Sequence, residues 1–335
     1  MSKPELTVIM PVRNGGSYLG AALESLRSQT CRDFVLHVWD DGSTDDTAAL
    51  LKRWVPNRLP GRVLGHEPIG IGRALARLVE SAGTPLIARM DADDVCHPQR
   101  FARQLAHMQQ HPRVAALGTQ MQRRDATLTQ TRRTTRMPTR DRDVRWMLRT
   151  HNPLNHPTVM MRRLAVLDCG NYHDLRPGQD DDLWLRLAFR HRLANLPEPL
   201  LLYREHDHSV TASQLDQSAA TFRARRRASA ALVFPGLAED EAQRLTDLLA
   251  DTKLLGVGRD DVQLLERAAR TLAQQSGEPA DYFIDTPRYR QQRDNLKTRR
   301  LKSNPVIRPA WPALRKLGRL VTTPAKAGAS GGAAA

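Results

Sequence analysis

From Leu6 to Met90, short runs of β-branched and apolar residues alternate with stretches whose apolar residues recur every three to four positions. This alternation constrains the fold more than any other feature, because it specifies strands joined by crossover helices and hence a mainly parallel sheet flanked by helices, an α/β fold. Leu6 to Val12 reads as the first strand. After the turn "RNGGS", Leu19, Ala22, Leu23 and Leu26 fall on one face of an amphipathic helix. "FVLHVW" (34–39) is a second strand, and "DDGSTDDT" follows it. Ser43, with Asp46 three residues later, reads as a capping box opening a helix over Thr47 to Trp54. A third strand near Arg62 to Leu64, a helix over Ile71 to Ser81 and a strand over Pro85 to Met90 complete the pattern.

Farther on, the segment 123–149 is basic and turn-prone, and is expected to be a mobile excursion before "HNPLNHPTVMMRR" (151–163) restores a β-like run. "QDDDLWLRLAFRHR" (179–192) reads as a helix with acids at its start and bases at its end, matching the macrodipole at both ends. "LANLPEPLLLYREH" (193–206) reads as extended chain bent at Pro197 and Pro199. Beyond Thr211 the pattern is helical with a break at 256–258, and the last residues, "AGASGGAAA", are low-complexity and expected to be disordered.

Several function classes are disfavoured. No apolar run approaches the roughly 18 residues of a membrane span, and "MSKPELTVIMPV" lacks a long apolar segment with a small-residue cleavage site, so a cytoplasmic protein is expected. Cys31, Cys96 and Cys169 are far apart, which suggests small hydrophobes rather than disulfides or a zinc knuckle. "GIGRAL" (70–75) lacks the third glycine of a dinucleotide-binding turn and follows no clear buried strand, against a dinucleotide-binding oxidoreductase. The net charge of +15 invites a nucleic-acid partner, but aromatic residues are only 5% and acids cluster where a backbone groove would be needed. Nine Lys or Arg and no acid lie beyond Asn295. With Trp311, Leu314, Leu317 and Leu320 between them, these cations suit an anionic membrane surface, and a solvated tail is the alternative.

"ARMDADDVCHP" (88–98) crowds Asp91, Asp93 and Asp94 at the end of a strand, where their repulsion costs stability. Asp40 and Asp41 end another strand, and ligands of open α/β sheets bind outside such carboxyl ends. A D-x-D there offers hard oxygens to Mg2+ or Mn2+, whose open positions take diphosphate oxygens. A second reading has the acids capping the helix that follows Pro98, a role suited to Asp94.

In order along the chain stand "TVIMPVRNGGSYLGAALESLRSQT", "VWDDGSTDDT", "LIARMDADDVCHPQRFARQ", "HPTVMMRR", "QDDDLWLRLAFR" and "LLLYREH". Together they resemble the family 2 glycosyltransferases, inverting enzymes of the GT-A fold. The resemblance, over about residues 5–210, implies a nucleotide-sugar-binding and catalytic domain over residues 1–210; beyond it the pattern and charge give a helical region over 211–294 and a basic, partly disordered tail over 295–335. It implies that Pro11, Val12, Arg13 and Asn14 surround the nucleotide base and ribose, that Asp41 binds the base, that Asp91 meets ribose or metal, and that Asp93 and His206 serve the Mn2+ or Mg2+ and diphosphate. It makes Asp180 the general base, next to Gln179 where the family has Glu, and puts His156, Gln179, Trp184 and Arg162 toward the acceptor. The implied partners are a nucleotide-diphosphate sugar and a saccharide or lipid-linked acceptor, with no nucleic acid. The implied place is the cytoplasm, peripheral on the inner face of the cell membrane, in envelope polysaccharide synthesis.

Overall fold

The computed structural model describes residues 4–175, 178–206, 226, 228–250 and 257–303. Most of the basic tail and the start of the expected helical region lie outside the described residues. Strands β1 (Leu6–Val12), β2 (Phe34–Asp40), β3 (Gly61–Val63) and β4 (Leu86–Arg89) pair in parallel, in the order β3-β2-β1-β4. The crossovers are α1 (Leu19–Arg27), α2 (Thr47–Trp54) and α3 (Ile71–Ser81), each where the apolar spacing predicts a helix.

The sheet then mixes directions. β8 (Met160–Arg162) runs antiparallel between β4 and β6 (Val114–Arg124). β6 pairs in parallel with β9 (Arg192–Arg204), and β9 takes the two-residue strand β5 (Val95–Cys96) antiparallel on its far edge. β9 is one long strand whose register with β6 shifts around Pro199, because a proline offers no N–H to the ladder.

Alternate residues of β1 face opposite layers. Val8 and Met10 join α1, α2 and α4 (Arg100–Gln110), whereas Ile9 joins α3, α6 (Arg163–Asp168) and α7 (Gln179–Leu187). This second layer is continuous with the helices α8 (Ala230–Val233), α9 (Glu239–Ala250), α10 (Arg259–Gln275) and α11 (Pro287–Ser303). Its centre is Trp146 of α5 (Asp141–Met147), fully buried against Phe283 and Tyr289, with Nε1 donating to Gln292 Oε1 at 2.8 Å.

Three local expectations are corrected. The basic segment 123–149 is an ordered hairpin from β6 into β7 (Thr131–Thr134), then α5. Gln120 ties it down, its amide bonding Met137 N and O, while Arg123 and Arg132 pair with Glu205. The capping box does not form. Ser43 Oγ is drawn to the loop after β1, where it accepts the Asn14 N–H at 2.9 Å, and Asp45 accepts the Thr47 N–H instead. Finally, α7 stops at Leu187 rather than reaching 192, since Arg192 enters the sheet with its N–H on Arg113 O.

Candidate active site

β1, β2 and β4 end at the same edge, with Val12 beside Asp40 and Ile9 beside Arg89. The loop after β1 is held open there by donors and acceptors from the β2 side. Asn14 adopts φ 50°, its Oδ1 accepts the Thr44 N–H at 2.9 Å, and the Gly15 and Gly16 N–H groups reach Thr47 Oγ1 and Asp45. Pro11 and Val12 are buried beneath this loop, and Arg13 and Asn14 are exposed. A Cβ on Gly15 would stand 3.6 Å from Ala92, so the loop packs directly on the D-x-D turn. Buried Asp41 accepts the Gly70 N–H at 2.7 Å, which ties the β2 end to the start of α3. Gly70 is the N-terminal cap of that helix.

The acidic turn is built from both sides of the chain. Arg89, buried at the end of β4, grips Asp91 with two guanidinium nitrogens, one at 2.5 Å. Burial pushes the Asp91 carboxyl up, and Arg89 opposes that. Asp94 is wholly buried and caps no helix; it accepts the Arg204 N–H at 2.9 Å, and its Oδ2 has no hydrogen-bond partner among the described residues. Burial, with Asp93 and Asp91 adding, holds the Asp94 carboxyl well above the usual carboxylate range. Arg204 Nε also donates to Asp93 O at 2.8 Å, and His206 Nε2 lies 3.0 Å from Asp93 Oδ2. Tyr18, at the head of α1, packs against both: the Arg204 guanidinium sits 4.5 Å from its ring centre and the His206 ring 4.7 Å.

One oxygen from each of Asp91, Asp93 and Asp94 falls within 4.8 Å of the others. Three hard oxygen donors with an unpartnered buried oxygen among them fit a divalent cation such as Mg2+ or Mn2+. Sequence reasoning finds the acids and His206, and misses Arg89, Arg204 and Tyr18.

On the other wall, Gly178 with φ 105° turns the chain into α7. Gln179 is buried and folds back, its Oε1 accepting the Gly178 N–H at 3.1 Å. The half-buried Asp180 accepts from Asn152 Nδ2 at 2.7 Å. Asp181 and Asp182 face other partners, Arg226 and Arg186. The two walls meet at Tyr172, a buried phenol whose charged neighbours include Arg89, Asp180 and Asp91 and whose ionisation burial suppresses. A Cβ on Gly72 would lie 2.7 Å from His173 O, so only glycine lets α3 approach this segment so closely.

The four residues expected toward the acceptor are each buried or engaged in bonds of the fold. His156 lies in the core, bonded through Nε2 to the Tyr172 hydroxyl at 2.9 Å, and burial holds its imidazole well below the usual histidine range. Trp184 is fully buried, edge-on to His156. Both are buried side chains, as is Gln179. Arg162 anchors the sheet, donating to Val114 O and Met108 O.

The comparisons with known proteins agree with this geometry. The family model described as Glycosyl transferase family 2 matches residues 7–169. The amylovoran biosynthesis glycosyltransferase AmsE of Erwinia amylovora is 34% identical over 189 residues, covering 56% of this chain and 70% of that protein. Among solved structures, S. aureus TarS 1-349 in complex with UDP-GlcNAc aligns at a TM-score of 0.59 and 17% identity, covering 89% of this chain and 91% of that one. The mannosyltransferase PcManGT from Pyrobaculum calidifontis, in complex with GDP-Man and Mn2+, aligns at 0.55 and 18% identity, covering 90% and 88%. Those likenesses establish the GT-A fold. With AmsE 34% identical over 70% of its length, and the family model matching residues 7–169, the chain belongs to the family 2 glycosyltransferases.

Proposed function

We propose that this glycosyltransferase moves a sugar from a nucleotide-diphosphate donor to a hydroxyl of a saccharide or lipid-linked acceptor, with inversion at the anomeric carbon, in bacterial envelope polysaccharide synthesis. The observation that carries the reading is the gathering of Asp91, Asp93, Asp94 and His206 beside the loop after β1, with Asp180 and Asp91 both near the buried Tyr172. The amylovoran relative and the nucleotide sugars in the two structural neighbours support the donor class and the pathway.

In this reading Pro11, Val12, Arg13 and Asn14 surround the base and ribose. Asp41 has one oxygen fixed by Gly70 N–H and offers the other to a base N–H. Asp91, steadied by Arg89, meets the ribose or the cation, and Asp93, Asp94 and His206 hold the cation. A bound Mn2+ or Mg2+ supplies positive charge against the diphosphate. Asp180 takes the acceptor hydroxyl's proton while that oxygen bonds the anomeric carbon. The bond from that carbon to the diphosphate breaks, its electron pair leaving with the diphosphate. Attack opposite to departure inverts the centre. The basic tail binds anionic lipid and keeps the enzyme peripheral on the cytoplasmic face. No helix among the described residues is long and apolar enough to cross a membrane.

The test is thermal-shift titration with UDP, GDP, dTDP and NAD, each with and without Mn2+. Stabilisation by one nucleoside diphosphate that depends on Mn2+ and vanishes in Asp93→Ala is expected. A response to NAD alone would overturn the reading.

A further inference from the structure

We propose that Asn152 is the positioning residue of the general base, supplying from a different loop the orienting contact that Gln179 does not make. This rests on the reading of Asp180 as the base. Gln179 stands where the family has a glutamate, and its side chain is engaged with its own helix start through the Gly178 N–H. The carboxylate of Asp180 is instead held by one amide hydrogen bond, from Asn152 Nδ2 to Oδ2 at 2.7 Å. A carboxylate fixed at one oxygen presents the other in a defined direction, and proton abstraction needs that direction held within a few tenths of an ångström.

Asn152 can do this because it is itself immobilised. Its Oδ1 accepts the Leu154 N–H at 3.1 Å, so the amide orientation is set: oxygen toward the backbone, NH2 toward Asp180. The loop that carries it is buried from Pro153 onward. Asn195 Nδ2 donates to Pro153 O at 3.1 Å, and Asn155 Nδ2 donates to Thr119 O at 2.9 Å, anchoring the loop to β9 and β6. Among the described residues Asp180 makes no hydrogen bond through Oδ1, the oxygen available to an acceptor. The base thus stands on a helix start, and its aim comes from the sheet.

Two variants separate this role from packing. Asn152→Ala removes the side chain. Asn152→Asp keeps its shape, removes the donor and adds a like charge. Release of nucleoside diphosphate is followed from UDP-GlcNAc, UDP-glucose and GDP-mannose, with water and octyl glycosides as acceptors. Both variants are expected to lose kcat by about 10- to 100-fold, with unchanged KM for the donor and unchanged stabilisation by nucleoside diphosphate and Mn2+. A crystal structure of Asn152→Ala should show Asp180 in more than one rotamer. Parental kcat in Asn152→Asp, or a single unmoved Asp180 rotamer in Asn152→Ala, would overturn the proposal, and so would a loss matched by lost nucleotide binding. Asp180→Asn distinguishes the two levels. It should retain nucleotide binding and lose turnover by about 10² to 10⁴. If it turns over at the parental rate, the base assignment fails; if it is inactive while Asn152→Asp is not, the positioning role alone fails.

Discussion

At the scale of single side chains, this molecule repeatedly buries a charge or titratable ring and then constrains it from one direction. His37 of β2 is an instance away from the site. It is buried, its Nδ1 meets Ser81 Oγ at 2.8 Å, and that hydroxyl donates to Leu78 O, so Nδ1 carries the hydrogen. Burial, with Arg62 adding, lowers its pKa to about 4 from 6.5. Between those two values the unfolded chain takes up a proton that the folded one refuses, so the stability His37 contributes at neutral pH is lost as pH falls from about 6.5 toward about 4. Urea midpoints of the parent and His37→Gln should therefore converge on acidification, by roughly 2 to 3 kcal/mol between pH 7 and pH 4.5. Parallel curves would show that His37 titrates as in an unfolded chain. The site residues were unequally legible at this scale. Asp91, Asp93 and Asp180 announce themselves because carboxylates gather in short local strings. Asn152 and Arg204 do not, because each meets its partner only through tertiary folding.

At the scale of elements, the apolar period located β1, α1, β2, α2 and α3 to within a residue or so, since each buries one continuous face. It failed where tertiary bonds decide. The ordered hairpin at β7 depends on Gln120, and the end of α7 depends on Arg192 joining the sheet. One close approach ties these elements to the site. A Cβ on Gly118 of β6 would stand 2.2 Å from Asn195 Oδ1 and 3.2 Å from Leu154. Asn195 cannot simply swing away, because its Nδ2 holds both Pro138 O and Pro153 O. Gly118→Ala is expected to destabilise by about 1 to 3 kcal/mol, as overpacking of a filled core does. A urea midpoint unchanged from the parent would mean that the loop carrying Asn152 is looser than these bonds imply.

At the scale of the whole molecule, the helices after residue 226 share one apolar core with the sheet through Trp146, Phe283 and Tyr289. The basic end of the chain has two parts. Through α11 it is built in: Leu296 is buried and Arg299 donates to Leu248 O at 2.7 Å. Beyond Ser303 lie five more cations and Trp311. A chain ending at Ser303 should keep its melting temperature and its response to nucleoside diphosphate with Mn2+, yet sediment less with phosphatidylserine-containing vesicles than the full chain. Equal sedimentation of both would dismiss the lipid role of the tail.

Arg204 reaches back 110 positions to Asp94 and 111 to Asp93. Read as a timetable of synthesis, that span means the ribosome delivers the acidic turn long before the strand residue that bonds Asp94 and the Asp93 carbonyl. A nascent chain has Arg89 beside Asp91 from the outset, but Asp94 lacks its Arg204 N–H until β9 emerges. The turn thus gains its last bonds late in translation, when the ninth strand is seated.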